Sequence, residues 1–392
     1  MAKQVHITIG AAGFVGSFLT AELLRRGHAV IVLARDTQET SATERVKKSL
    51  ERASGEAVPT TEKCQVLSAD ITSPDLNLGP TALKQFGEVE AIWHCAAVSQ
   101  FNTDNEKIFR TNALGTLHAL EFARRIKAKR FYYISTAYVC GNRVGTVFEN
   151  QLEAGQTFKN AYEESKFRAE HLVKEWGLEF GLHTTIYRPG VIIGSSADGK
   201  TTTFNGYNYL AKVFYRQREK ILQELQNNPG KFAGSGIRKT ASGVALPVRI
   251  PCSVHATVNL VTIDYAIETM LKLASNRGSV GKVFHITNPN PPKGRKLFNM
   301  SADVIGIEGI SFVEKLETLQ SDPPTNPVLR RYEQKIFREI SQYAPYLQQE
   351  PRFDNANVRE VLGADYEPPC RIDQNLIQKL FDYAKSVNWK IA

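Results

Sequence analysis

Apolar residues fall into two alternating rhythms along this chain. Short, nearly continuous apolar or β-branched runs, "VHITIG", "AVIVLARD", "CQVLSAD", "AIWHCAA", "RFYYIS" and "TTIYRPGVIIG", are separated by longer stretches. In those stretches, "GFVGSFLTAELLRRG", "SATERVKKSLERA", "TNALGTLHALEFARRI" and "NAYEESKFRAEHLVKEWGLEFG", apolar positions recur at helical spacing. The first kind predicts buried strands and the second amphipathic helices. Their alternation implies an α/β fold, a doubly wound parallel sheet with helices on both faces.

The rhythm changes after Gly194. Residues 1–194 read as the nucleotide-binding core and 195–255 as a substrate-side insertion or lid. That insertion holds the long amphipathic helix "YLAKVFYRQREKILQELQ", a Gly-, Ser- and Lys-rich loop, and "ALPVRIPCS", read as a single strand with an edge-type proline. Residues 256–288, with "NLVTIDYAIETMLKLA" and "KVFHITNP", return to the core, and 289–392 form a smaller, interleaved substrate-binding region.

Composition narrows the class. The 392 residues carry 49 basic and 40 acidic side chains, a formal charge of +9 without any block of like charge. This suits an anionic small molecule or an acidic partner and does not call for nucleic acid. Cys64, Cys95, Cys140, Cys252 and Cys370 are scattered, so neither a disulfide framework nor a zinc site is expected, and no metal is assigned. No apolar run approaches the roughly 20 residues that cross a bilayer, and no signal peptide precedes the first strand. The expectation is a soluble cytoplasmic protein, with peripheral membrane contact left open.

Chemistry enters at the first strand-to-helix junction. "ITIGAAGFVG" sets Gly10, Gly13 and Gly16 where the backbone turns tightly and a helix N-terminus faces a pyrophosphate. That context makes the fold Rossmann-type. The second strand then ends in Arg35 rather than a carboxylate, which favours a ribose 2′-phosphate, hence NADP(H). Arg45, at the start of the next helix, is a candidate second contact to that phosphate.

Tyr162 and Lys166 stand four apart in "NAYEESK", on one helical face. An ammonium beside a phenol is expected to lower the phenol's pKa from about 10 toward neutrality, as proton transfer at a carbonyl requires. Thr136, with Ser135 beside it, spills from the strand "RFYYIS" and supplies hydroxyls for the same substrate oxygen.

Taken in this order, the glycine turn, the strand-end "STA" and the Tyr-Lys pair resemble the extended short-chain dehydrogenase/reductase superfamily. The stretches "IWHCAAVSQF", "TNALGT", "YYISTAYVCG", "NAYEESKFRAEHLV" and "IYRPGVIIGSS" are similar to its thioester reductase and fatty acyl reductase branch, which includes the reductase domains of carboxylic acid reductases. The resemblance implies that Thr136, Tyr162 and Lys166 are catalytic, with Ser135 as a neighbour. It implies a cofactor set of Gly10, Gly13, Phe14, Val15, Gly16, Arg35 and Arg45, then Asp70 and Ile71 beside the adenine. Ala96, Ala97, Asn112, Tyr162, Lys166, Pro189, Gly190 and Val191 complete that set. The activity implied is NADPH-dependent reduction of an acyl thioester, carried by coenzyme A or by an acyl or peptidyl carrier protein, to aldehyde or on to alcohol, by a monomer or homodimer.

Lys212, Arg216, Arg218 and Lys220 on the long helix, and the stretch "RRYEQKIFREI", offer a basic side for phosphates or an acidic carrier, or simply a solvated face. Cys140 and His94 read as packed residues. An aldehyde or ketone reductase resembling dihydroflavonol reductases is the alternative hardest to separate. A sugar-nucleotide epimerase or dehydratase is disfavoured by Arg35 and by Ala137-Tyr138 where dehydratases place Asp-Glu. A non-catalytic NADP(H) sensor is disfavoured by the intact Thr136, Tyr162 and Lys166.

Overall fold

The structure, a computed structural model, describes residues 4–56, 63–84, 86–101 and 103–390. Its centre is a seven-stranded parallel sheet. The strands are β1 (Val5–Ile9), β2 (Ala29–Ala34), β3 (Cys64–Ser68), β4 (Ala91–His94), β5 (Arg130–Ile134), β6 (His183–Pro189) and β7 (Val283–Ile286). Their spatial order is β3-β2-β1-β4-β5-β6-β7. Ile7 of β1 therefore faces Ile31 on one side and Ile92 on the other. The winding reverses between β1 and β4, and such a reversal opens a crevice at the carboxyl ends of the strands.

Side chains of successive strand residues point to opposite faces, so one sheet feeds two cores. Val30, Val32, Trp93, Tyr132 and Ile134 pack with α1 (Phe14–Arg25) and α2 (Ala42–Ser54). Ile7, Ile9, Ile92, Phe131 and Tyr133 pack with α3 (Gly115–Arg125) and α4 (Ala161–Phe180). Such burial stabilises by roughly 1.5–3 kcal/mol per large apolar side chain. Ser41 caps α2 by accepting from Glu44 N at 3.2 Å, and Asn160 caps α4 by accepting from Glu163 N at 3.0 Å. The second cap fixes Tyr162 in the first turn of α4.

The run "TTIYRPGVIIG", expected as one strand, is two. β6 stops at Pro189, Gly190 N still donates to Ile286 O at 3.1 Å, and Val191 N turns to Asn259 O at 2.8 Å. Val191–Ile193 then pairs with Leu260–Thr262 outside the main sheet. A side chain at Gly190 would meet Asn259 O at 2.7 Å, so the switch needs glycine there. "ALPVRIPCS" likewise becomes two short strands, Val244–Ala245 and Arg249–Pro251, on either side of Pro247, which has no N–H to give a ladder.

A second core stands beside the first. It is built on α5 (Tyr207–Asn227), while α6 (Ile263–Ser275) returns to the α1 side of the main sheet. With α5 pack α7 (Gly294–Ile305), α8 (Pro327–Ile340) and α9 (Gln374–Ser386) around Phe214, Ile221, Phe298, Ile336 and Phe381. Trp389 closes that core at 4% exposure.

Candidate active site

The glycine turn is shaped by contact. Gly10 has φ +96°, and a Cβ there would lie 2.6 Å from Ala96 N; one on Gly16 would lie 2.3 Å from Gly10 O. Three chain segments thus meet with no room for side chains. Gly13 caps α1 without a side chain, and no acidic residue stands in the first turn. The N–H groups of Phe14, Val15 and Gly16 therefore have no intrahelical acceptor, the arrangement that binds a pyrophosphate.

Arg35 is exposed beyond the end of β2 and borders a surface hollow of about 380 Å³ with Thr72, Lys107 and Arg110. The adjacent Asp36 is engaged elsewhere: its carboxylate accepts from Ala42 N at 2.7 Å and from the Ser68 hydroxyl. Arg45 donates to the backbone carbonyl of Arg35 at 2.5 Å, so it braces the strand end rather than lying free beside it. Asp70 binds its own turn through Thr72 N and Thr72 Oγ1, both at 2.9 Å, and Ile71 packs beneath Gly115.

The catalytic candidates lie on one cavity of about 470 Å³, which Thr136, Tyr162 and Lys166 border together with Gly13, Phe14, Val15, Ala97, Pro189, Gly190 and Val191. The Thr136 hydroxyl stands close enough to the Tyr162 phenol to act against a rise in its pKa. Burial pushes that phenol up to about 12, outweighing the Thr136 contact. The expected lowering by Lys166 does not appear. Lys166 Nζ donates to Ile134 O at 2.6 Å and to Tyr133 Oη at 3.2 Å, and burial brings its own pKa down to about 7. Tyr162 accordingly keeps its proton at neutral pH.

The expectation for Ser135 is corrected. Ser135 borders the cavity, yet its Oγ donates to Glu170 Oε1 at 2.5 Å. Glu170 is in turn paired with Arg188 at 2.7 Å, both side chains fully buried. A buried ion pair needs every remaining lone pair satisfied, and Ser135 does that instead of facing substrate. The Asn112 side chain is likewise engaged within the protein, as a structural asparagine would be: it accepts from Val98 N at 2.8 Å and donates to Val98 O at 3.0 Å and Ser165 Oγ at 2.9 Å. It clamps the loop after β4 to α4, one residue from Lys166.

His94 and Cys140 are packed as expected. His94 Nε2 lies 3.0 Å from Thr116 Oγ1 with its pKa lowered to about 3 by burial, and Cys140 is 2% exposed. On α5 the basic side is largely engaged: Lys212 donates to Trp389 O at 2.7 Å, Arg218 pairs with Glu219, and Lys220 lies 3.7 Å from Glu224.

Beyond the hydroxyls the cavity wall turns apolar, with Leu210, Phe214, Val258, Phe298, Ile305 and Ile307 contributed by the second core. Ser301 on that wall is already satisfied by Leu297 O at 2.7 Å and Tyr207 Oη at 2.8 Å. The segment 343–350 adds Tyr343, Tyr346 and Glu350, none of which sequence spacing singles out. Tyr346 Oη donates to Glu163 Oε1 at 2.6 Å, beside Tyr162, and Glu350 accepts from Tyr138 Oη at 2.7 Å. These contacts join residues about two hundred positions apart, and no local pattern announces them.

The model of the family described as Male sterility protein matches residues 7–270. The chain belongs to this family. The matched stretch covers the glycine turn, Thr136, Tyr162 and Lys166. Among curated proteins, Aldehyde reductase lnaA of Aspergillus flavus is 24% identical over 410 residues, covering 97% of this chain and 36% of that protein. Fatty acyl-CoA reductase 1 of Gallus gallus is 27% identical over 266 residues, 59% of this chain and 51% of the other. The chain thus spans about a third of the first relative and half of the second. Among solved structures, the terminal R domain from the myxalamid PKS-NRPS biosynthetic pathway superposes with a TM-score of 0.78 at 24% identity, covering 100% of this chain and 92% of that one. Among the described residues no helix is long and apolar enough to cross a membrane.

Proposed function

We propose that this family member reduces an activated acyl thioester, carried by coenzyme A or a carrier protein, to the aldehyde with NADPH, and that the acyl group is largely hydrocarbon. The observation that carries this reading is the single cavity joining Thr136, Tyr162 and Lys166 to the apolar wall of Phe214, Phe298 and Ile305. A peptidyl or aminoacyl chain would need polar partners, since a buried amide without a hydrogen bond costs about 1–3 kcal/mol, and these lie off the α5 and α7 wall, at Thr202, Thr203 and Asn205 on the same cavity. An alkyl chain needs none.

The residues fit a nicotinamide dinucleotide: a cradle that side chains at Gly10 or Gly16 would fill, an uncapped α1 N-terminus, and Lys166 at the cavity. Arg35, with Arg110 and Lys107 beside Asp104 and Glu106 on the same hollow, supports a 2′-phosphate, as does the engagement of the Asp36 carboxylate by Ala42 N. When bound, this cofactor supplies the hydride. The protein's part is to hold the thioester carbonyl oxygen between the Thr136 and Tyr162 hydroxyls. Donors fixed there act where negative charge develops and need no reorganisation, which typically accounts for about 100-fold or more per donor. With its phenol held up near 12, Tyr162 serves as an acid at neutral pH. Lys166, anchored on Ile134 O, keeps a cationic N–H donor at the cavity up to about pH 7.

The relatives' printed names, an aldehyde reductase, a fatty acyl-CoA reductase and a terminal R domain, agree with carbonyl-level reduction. The test follows NADPH absorbance with saturated acyl-coenzyme A thioesters, the matching aldehydes and UDP-sugars. Thioester-dependent oxidation with thiol release is expected. Oxidation with aldehydes alone would move the chain to the carbonyl reductases.

A further inference from the structure

The cavity that holds Thr136, Tyr162 and Lys166 is also bordered by a carboxylic acid that the chemistry above leaves unused. Glu350 follows the short helix Ala344–Gln348 and Gln349, and three donors hold it. Tyr138 Oη at 2.7 Å and Asn259 N at 2.9 Å reach Oε1, and Thr257 Oγ1 at 2.8 Å reaches Oε2. Tyr138 borders the cavity too, and its backbone N–H donates to Thr136 Oγ1 at 3.3 Å. The carboxyl is therefore linked by one phenol to the turn that carries the proposed oxyanion donor.

Both reductions consume one proton, but thioester reduction delivers it to the departing sulfur, whereas aldehyde reduction delivers it to the carbonyl oxygen. Once hydride has added, the oxyanion is held by Thr136 and Tyr162, while the sulfur occupies a different corner of the tetrahedral carbon. An alkyl thiol has a pKa of about 8.5, so its departure at neutral pH is helped by a proton donor. Resting on the thioester reading, we propose that the hydrogen-bonded pair Glu350–Tyr138 is the proton source for the departing thiol.

In the proposed step the C–S bond breaks, the oxygen's electron pair re-forms C=O, and sulfur leaves with the bonding pair. With Glu350 protonated, its hydrogen bond with Tyr138 Oη reverses and the carboxyl donates; Tyr138 then gives its phenolic proton to sulfur as Glu350 gives its own to Tyr138. A thioester, a dihydronicotinamide and one proton thus become an aldehyde, a thiol and the oxidised nicotinamide. Glu350 is partly exposed and regains its proton from solvent. Burial raises its pKa to about 7 against the hydrogen bonds from Asn259, Tyr138 and Thr257 and the charge of Lys159, so the acid is well populated at neutral pH. Tyr138, the other titratable group in contact, is pushed well above its usual range and stays a phenol between transfers.

The test compares three substrates of one acyl group: an alkyl thioester, an S-aryl thioester whose anion leaves unaided, and the free aldehyde. In Glu350→Gln the ratio of alkyl-thioester to aldehyde turnover is expected to fall roughly 100-fold, and the alkyl-to-aryl ratio with it. Tyr138→Phe is expected to shift both ratios the same way. In the wild type the alkyl-to-aldehyde ratio should fall as pH rises through about 7, and in Glu350→Gln it should be flat. Lys166 titrates in the same range but acts on every substrate, so it cancels in the ratio. All three substrates declining together would reduce Glu350 to a structural tie and overturn the proposal. Unchanged ratios in either variant would overturn it as well. A wild type that reduces aldehydes but releases thiol from neither thioester would overturn the underlying thioester reading instead, and this step with it.

Discussion

The two ends of the cavity recognise their ligands by opposite means. At the nucleotide end the surface is backbone: glycines brought within van der Waals contact, an uncapped helix, and one buried lysine fixed by the carbonyl of Ile134. At the far end it is mainly hydrocarbon from α5 and α7, where Ser301 is already satisfied, with Thr202, Thr203 and Asn205 beside it. The first end is specific for charge and hydrogen bonds and tolerates almost no change of shape. The second selects by volume and apolar area and has many neighbouring solutions. Thr136 and Tyr162 lie where the two meet, and the chemistry depends on that junction.

Substitutions at each end sharpen the contrast. The largest effect belongs to the junction: Tyr162→Phe should lower turnover by about 1000-fold while NADPH still quenches protein fluorescence with unchanged affinity, since the lost group donates to the reacting oxygen. A smaller loss of rate, or weakened cofactor binding, would break the assignment. Next comes the scaffold beneath the nucleotide end. Arg188→Met removes the ion-pair partner of the fully buried Glu170 and leaves it the Ser135 hydrogen bond, and should reduce the unfolding free energy by about 3–5 kcal/mol, read from chemical denaturation.

At the rim of the nucleotide end, Arg35→Ala should weaken NADPH roughly 10- to 100-fold while NADH binding barely moves, measured by titration of both cofactors. Equal losses would contradict the 2′-phosphate reading. The far end should show the gentlest gradient. Each methylene added to the acyl chain should raise kcat/KM about fourfold, from roughly 0.8 kcal/mol of burial, until the cavity is filled. Ala302→Phe, which enlarges a residue on that wall, should shorten the preferred chain without changing the aldehyde's identity.

The same contrast explains what the sequence made legible. The glycine turn, the Arg at the end of β2 and the Tyr-Lys pair are local, because each acts through neighbours in one turn or one helical face. Asn160 capping α4 even fixes where Tyr162 falls. Ser135 misled because its real partner, Glu170, lies on another element and is recognisable only once Arg188 is seen to be buried. The interplay of Tyr162 and Lys166 was misjudged for a related reason: spacing shows adjacency, whereas burial and the competing carbonyl of Ile134 decide the charge. Tyr343, Tyr346 and Glu350 had no readable signal, since nothing in "SQYAPYLQQE" says that this tail folds back over α4.

The central claim is that hydride reaches a thioester carbonyl in this cavity. The direct measurement supplies NADPH deuterated at the transferable position with a saturated acyl thioester, and follows the product by mass spectrometry and the thiol by colorimetric titration. The account predicts one deuterium at C1 of the aldehyde, one equivalent of thiol for each cofactor oxidised, and loss of both in Tyr162→Phe. Thiol released without deuterium in the product, or cofactor oxidised without thiol, would contradict it.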